Sequence, residues 1–298
     1  AKDIGENGNR ILTNHTERMV TSLMSSMAHS IDSRLKILTT MVDQDAFVMN
    51  AFPIVDENTN DEKGFKLNQF FSQWFNNDET IHSAYLITSI KEKLSMLRDE
   101  NSIQRVNLSE GGVEFGSTFF SPAYNKLVSN RLSTFVDIRQ TTKNGTNTIG
   151  LSLNMSKFIR SLKTSLPLPS SYFFIIDSDK NLIAAPPHGR LELASRKEFK
   201  PEGIIKFDNP ENNELQNVLS NMAAGYSNIQ VITIKGQKKY IAYQSLNQTN
   251  WRLGIVMPIS IVTKPSNELV KVVKDGSNLI LKNILIWTAV LLIFVVIL

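Results

Sequence analysis

Residues 228–258 read NIQVITIKGQKKYIAYQSLNQTNWRLGIVMP. Three runs rich in strand formers, 228–234, 238–246 and 251–257, are joined by Lys235-Gly236-Gln237 and by Asn247-Gln248-Thr249-Asn250. Loops this short cannot carry a crossover, so the three runs form an antiparallel meander. Pro258 has no N–H to give a ladder and ends the sheet. Just upstream, 211–224 (ENNELQNVLSNMAA) has helical spacing, and Gly225 stands at the C′ position where a left-handed residue closes a helix. Further back, 171–177 (SYFFIID) and 181–185 (NLIAA) flank the polar turn Ser178-Asp179-Lys180, and 186–213 is rich in Pro, Gly and charge and reads as loop. The unit is therefore two strands, loop and helix, then three strands.

The same rhythm occurs once more, nearer the N-terminus. Candidate strands are 81–88, 94–98, 115–121, 132–140 and 146–153, with Asn144-Gly145 as a hairpin signal before the last. A short helix, 155–165, follows and is closed by Pro167 and Pro169. Ahead of this block a short helix carries Phe65, Leu67, Phe70, Phe71, Trp74 and Phe75, an aromatic cluster of core type. The first fifty residues read as one helix. Leu12, Met19, Leu23, Met27, Ile31, Leu35, Leu38 and Val42 keep one apolar stripe on one face. At the other end Ile284–Leu298 (ILIWTAVLLIFVVIL) has no charge and no polar face, the pattern of a membrane-spanning helix. At 1.5 Å per residue it reaches roughly 22 Å, short of the ~30 Å hydrocarbon layer, so it reads as part of a longer span. The expected fold is α+β: a long N-terminal stalk helix (1–52), two tandem PAS-like modules with antiparallel sheets (53–160 and 161–265), and a C-terminal transmembrane helix (266–298).

Composition removes several classes of function. A net charge of +4 from 32 basic and 28 acidic residues is too weak and dispersed for nucleic acid. With no cysteine there is no disulfide, thiolate metal site or Cys nucleophile. The four histidines, His15, His29, His82 and His188, are scattered, and none pairs at metal-ligand spacing. No nucleophile elbow, P-loop or kinase signature occurs. Asp177 and Asp179 flank a hairpin turn, where carboxylates bond the backbone more often than they chelate. No catalytic residue, metal site or cofactor is expected.

Three stretches together resemble the double-Cache (tandem PDC, PAS-like) sensor domains of bacterial and archaeal transmembrane receptors. TIGLSLNMSKFIRSL (148–162) is similar to the family's last distal strand and connecting helix. SYFFIIDSDKNLIAAPP (171–187) is similar to the opening hairpin of the proximal module. YIAYQSLNQTNWRLGIVMPISIV (240–262) is similar to its closing hairpin, with a Trp before the last strand and a Pro after it. The resemblance implies a membrane-distal and a membrane-proximal module between two membrane helices. It further implies ligand sensing rather than catalysis, with a kinase, cyclase, phosphatase or chemotaxis output in the cytoplasm. One departure concerns the amino-acid-sensing members. Their distal Tyr, Arg, Trp-Tyr and Asp pattern is not reproduced by the spacing of Tyr124, Arg131 and Asp137, and the distal module has no Trp between residues 79 and 160.

The expected site is the concave face of the distal sheet. Its candidate ligand-binding residues are Tyr85, Phe119, Tyr124, Arg131, Phe135 and Asp137, with Arg131 and Asp137 as a charge pair. Tyr172, Tyr226, Tyr240 and Tyr243 are weaker candidates in the proximal module. The expected partners are a small molecule or a periplasmic protein, membrane lipid, and a second copy paired through the stalk stripe. Residues 1–280 are expected outside the cytoplasmic membrane. Lys264, Lys271, Lys274 and Lys282 pull the other way, since a Lys-rich flank marks the cytoplasmic side of short loops. The alternative reading is a membrane-anchored structural or adhesion protein without a small ligand.

Overall fold

The computed structural model describes residues 2–51, 71–87, 93–98, 103–105, 113–115, 118–128, 131–142, 147–163, 170–194, 203–207 and 211–259; along the first helix, side-chain surroundings are described for 17–46. That helix, α1 (Lys2–Ala51), is 50 residues long. Residues 71–77 form α2 and place Phe71, Trp74 and Phe75 in the core.

The first sheet contains β1 (Ile81–Ile87), β2 (Lys93–Leu97), β3 (Ile103–Arg105), β4 (Val113–Phe115), β5 (Thr118–Phe120), β6 (Tyr124–Val128), β7 (Arg131–Thr141) and β8 (Thr148–Asn154). Their order is β3-β2-β1-β8-β7-β5-β4, and β6 also pairs with β7. β5 and β6 run in line along β7, separated by a break at Ser121–Ala123. The Ser121 N–H still donates to the Asp137 carbonyl, and its Oγ accepts from the Asp137 N–H. After α3 (Met155–Lys163) comes the second sheet, of β9 (Tyr172–Ile176), β10 (Asn181–Ala184), β11 (Ile205–Lys206), β12 (Asn228–Ile234), β13 (Gln237–Ser245) and β14 (Arg252–Pro258). Its order is β11-β10-β9-β14-β13-β12. Helices α4 (Pro187–Leu193) and α5 (Asn213–Ala223) lie between β10 and β12 in sequence. All pairings are antiparallel. The path β2-β1-β8-β7-β5/β6 and the path β10-β9-β14-β13-β12 are the same topology used twice.

The stalk stripe is consumed inside the chain. Leu23, Met27, Ile31, Leu35, Leu38 and Val42 are buried in one core with the α1-facing side chains of both sheets, among them Val136, Leu151, Ile175, Ala242 and Ile255. Burial of each such side chain contributes roughly 1.5–3 kcal/mol. This corrects the expectation of a parallel homodimer through that stripe, because the seam is already covered. A 3.5–4 residue spacing fits a sheet as well as a partner helix, and the chain's own two sheets win. Leu12 lies where side chains are not described.

Two residues on opposite sides of one α1 turn tie the halves together. The buried Asp32 carboxylate accepts the backbone N–H groups of Asn247 and Gln248 in the β13–β14 loop. The Arg34 guanidinium forks onto both Asp78 carboxylate oxygens at 2.7 and 2.9 Å and also donates to Ser161 on α3.

Where the expected elements differ from the observed ones, local cause is visible. The segment 186–213, read as loop, contains α4 and β11; α4 starts at Pro187, a first-turn position where the missing N–H costs nothing. β3 and β6 were not expected either. Gly225 has φ +91° and closes α5 as expected. The hairpin residues 143–146 and the segment 266–298 lie outside the described residues. Among the described residues no helix is long and apolar enough to cross a membrane.

Candidate functional site

Side chains alternate across a sheet, so pairing register decides which residues share a face. On the distal face turned away from α1, one rung of the ladder reads Tyr85–Gly150–Arg139–Phe119 across β1, β8, β7 and β5. The next reads Ser83–Ser152–Asp137, and the next Asn154–Phe135–Tyr124. Five of the six candidates, Tyr85, Phe119, Tyr124, Phe135 and Asp137, therefore share one face.

Asp137 is the centre of this face and is 1% exposed. Its carboxylate accepts three hydroxyl donors: Tyr124 Oη at 2.7 Å, Ser152 Oγ at 2.6 Å and Tyr85 Oη at 3.1 Å. Phe135 packs beside it, 6.0 Å from the Tyr124 ring and 4.8 Å from His82. The Arg139 guanidinium lies over the Phe119 ring, 4.3 Å from its centroid. Burial holds the Tyr85 and Tyr124 hydroxyls well above the usual phenol range, and the Asp137 charge adds to this. Both phenols are thus firm donors. The positive charge of Arg139 acts on both in the opposite sense, which makes it part of the same electrostatic site. A carboxylate fixed by neutral hydroxyls, beside aromatic faces, presents negative charge to a small molecule with a positive group.

Arg131 does not join this cluster. It is exposed at the start of β7, six residues and roughly 20 Å along the strand from Asp137. The cation beside Asp137 is Arg139, which the sequence reading missed. A two-residue step from Phe135 through Asp137 leads to it, so the signal was present. Ser152 and Gly150 needed the β7–β8 register, which composition does not supply.

The proximal sheet provides a comparison within the same chain. Its equivalent rungs read Phe174–Gly254–Tyr243 and Tyr172–Val256–Ile241. Phe174 thus stands where the distal module has Tyr85, Ile241 where it has Asp137, and Val256 where it has Ser152. In both modules the aromatic of the first strand lies over a glycine of the last. Proximally this face is filled by Leu215, Val218, Leu219 and Met222 of α5. Of the weaker candidates, Tyr172 donates to Glu192, which also pairs with the buried Lys239 at 2.6 Å; Tyr240 lies in the core shared with α1, and Tyr226 is exposed. Asp177 accepts from the N–H groups of Asp179 and Asn181, which is turn chemistry. Among the described residues no group of His, Asp or Glu is placed to hold a metal ion.

Two contacts join the modules near the site. Phe120, next to the site residue Phe119 but on the other face, meets Trp251 edge-on at 6.2 Å. Asn125, next to Tyr124, accepts the Ile204 N–H at 2.9 Å.

A long helix laid along two duplicated antiparallel sheets, one with a buried polar face, defines a tandem-module sensor domain. The chain belongs to the Cache domain family, whose profile (dCache_1) matches residues 8–266. Domains of this family sense ligands for receptors and are not catalysts. Among solved structures, the periplasmic sensory domain of the Campylobacter jejuni chemoreceptor Tlp1 is similar, with 14% identity and TM-score 0.59 over 85% of this chain and 99% of that one. So is the ligand-binding domain of C. jejuni chemoreceptor Tlp3 in complex with L-valine, with 12% identity and TM-score 0.56 over 86% and 96%. The extracellular domain of a candidate histidine kinase, mmHK1S-Z2, follows with 11% identity and TM-score 0.54 over 82% and 97%. At these identities the likeness is one of fold. Among curated protein sequences none matches this chain.

Proposed function

We propose that this chain is the extracytoplasmic sensing region of a transmembrane receptor, and that it binds a small molecule bearing a positively charged group on the distal face. Asp137 receives the cation, Tyr85, Tyr124 and Ser152 orient the carboxylate, and Phe119 and Phe135 cover the apolar part. The carrying observation is the difference between the two modules at equivalent rungs: polar and carboxylate-centred distally, apolar and filled by α5 proximally. The Tlp3 structure holds L-valine, a molecule with an ammonium group. The departure from the amino-acid pattern noted in the sequence leaves the rest of the ligand open to amines of other kinds.

The uncharged run 284–298, at the end of the segment 266–298, anchors the region in the plasma membrane, with residues 1–280 outside. Binding is passed from Phe119 through Phe120 and Trp251 into β14 and on to that segment. A ligand moves such an equilibrium only by binding two states unequally, and ~1.4 kcal/mol of difference shifts it about tenfold. Pairing with a second copy uses a surface other than the buried α1 stripe.

The test is a thermal-shift screen of amines and amino acids on the full chain in detergent, followed by Asp137→Asn and Tyr124→Phe. The expected result is a hit whose affinity falls at least tenfold in Asp137→Asn. A hit bound equally well by Asp137→Asn overturns the reading.

A further inference from the structure

The proximal face is not apolar throughout. α5 fills its middle, but the rung past Tyr172–Val256–Ile241 pairs Pro258 with Lys239, and Lys239 shares the outward face with Ile241 because side chains alternate along β13. Lys239 is 4% exposed and Tyr172 2%. Both donate to one carboxylate, that of Glu192 on α4. Lys239 Nζ reaches its two oxygens at 2.6 and 2.7 Å, and Tyr172 Oη reaches one of them at 3.0 Å. Among the described residues neither donor group has another acceptor.

The donors belong to the sheet and the acceptor does not. Lys239 stands on β13 and Tyr172 on β9, with β14 between them, in the positions that Phe135 and Ser83 hold in the distal module. Glu192 comes from a seven-residue helix laid over that face. A Cβ built on Gly189 would stand 2.7 Å from the Tyr172 ring, and His188 meets the same ring edge-on at 5.1 Å. This cover has attachments besides its carboxylate, since Arg190 donates to the Ala185 and Gly203 carbonyls and Leu193 is buried in the proximal core. The Glu192 side chain is 25% exposed against 5% for Lys239, so the carboxylate closes the mouth of a recess with the ammonium at its floor.

An ammonium buried this far is strongly disfavoured without an anion, and its bonds to a carboxylate are charge-assisted. An ammonium and a phenol converging on one point suit any small carboxylate. One already tied to the chain has a high effective concentration and keeps a free one out. We infer that Lys239 and Tyr172 form a carboxylate-binding site on the proximal sheet, and that Glu192 fills it as a ligand tethered to the chain. The proximal module is thereby kept in one occupied state, closed to a free carboxylate. This concerns α4 and the proximal sheet alone and stands whether or not the distal face takes a cation.

Glu192→Ala removes Cγ and the carboxylate, the heavy atoms of one acetate, so acetate is the probe. The experiment uses the full chain in detergent at constant pH and ionic strength, with chloride replaced stepwise by acetate, read by isothermal titration and by the thermal midpoint. The parent chain is expected to show no acetate-dependent rise. Glu192→Ala melts lower in chloride and binds acetate at least tenfold more tightly than the parent chain, its midpoint rising toward the parent's. Glu192→Ala/Lys239→Met loses that binding. Should this double variant not fold, Glu192→Ala/Tyr172→Phe decides, with binding about fivefold weaker for the loss of one hydrogen bond. Should Glu192→Ala fold only in acetate, that dependence carries the same result. No acetate binding in Glu192→Ala, or binding that equals the parent's or survives loss of the sheet donors, overturns the inference and leaves Glu192 and Lys239 as an ion pair that only fixes α4.

Discussion

Tyr85 lies across its cross-strand partner Gly150, and a Cβ built on that glycine would stand 2.6 Å from the Tyr85 hydroxyl. The missing side chain on β8 is what lets a phenol on β1 reach a carboxylate on β7. Gly150→Ala therefore displaces the ring. We expect a loss of about 1–3 kcal/mol in urea unfolding and a loss of ligand affinity at least as large as in Tyr85→Phe. The latter keeps the ring and loses one hydrogen bond, about 1 kcal/mol.

The alkaline limb of stability carries the same signature. Tyr85, Tyr124 and Tyr172 are held above the ordinary phenol value of 10.0 by burial and a neighbouring carboxylate. The folded chain keeps protons that the unfolded chain releases, so stability falls as pH rises past the unfolded value. Ultraviolet titration is expected to show these phenols ionising only with unfolding. Tyr85→Phe flattens the fall; an unchanged slope in that variant contradicts the assignment.

The Arg34–Asp78 fork acts at the acid end. Its burial opposes ionisation of Asp78, but the Arg34 hydrogen bonds and charge together hold its carboxyl below the usual 3.8. The contribution is present above the unfolded value and is lost as pH falls through the folded one. Arg34→Ala is expected to cost about 2–4 kcal/mol at neutral pH, with the gap to the parent chain closing on acidification. Arg34→Lys restores little, because one ammonium cannot fork onto two oxygens.

Asp45 behaves in the opposite sense. Burial raises its carboxyl to about 6, against the weaker effect of the Trp74 Nε1–H bond it accepts. The folded state favours the protonated form, so this contribution to stability is full below the unfolded value and is lost as pH rises through about 6. Asp45→Asn keeps an acceptor for Trp74. It is expected to unfold at higher temperature than the parent chain at pH 7.5 and at the same temperature near pH 4, by scanning calorimetry.

Much of this fold is legible in the chain because its signals are local. The alternation in 228–258 with two short loops leaves only a meander, and the spacing from Met19 to Val42 leaves only a helix. α4 and β11 were not legible. β11 is two residues long and is set by its pairing with β10, and the Pro and Gly around α4 read as loop. At the site, period two brought Tyr85, Phe135 and Asp137 forward because each stands in a strong strand. Sequence pattern does not separate Arg131 from Arg139, because both are the same residue type on the same strand and the same face. Only depth along the strand separates them, and depth is set by tertiary packing. The stalk stripe was misassigned for a related reason: an apolar stripe states that it will be covered, and is silent about what covers it.

Phe119 and Phe120 are consecutive, so the pleat sends one ring toward the Arg139 guanidinium and the other toward Trp251. A peptide unit is planar and inextensible. A twist of β5 about its own axis that swings Phe119 to one side swings Phe120 to the other, because the two rings stand on opposite faces of the strand. The strand is thus a seesaw with its fulcrum in the backbone, needing neither a hinge nor a disordered segment to turn occupancy on one side into displacement on the other.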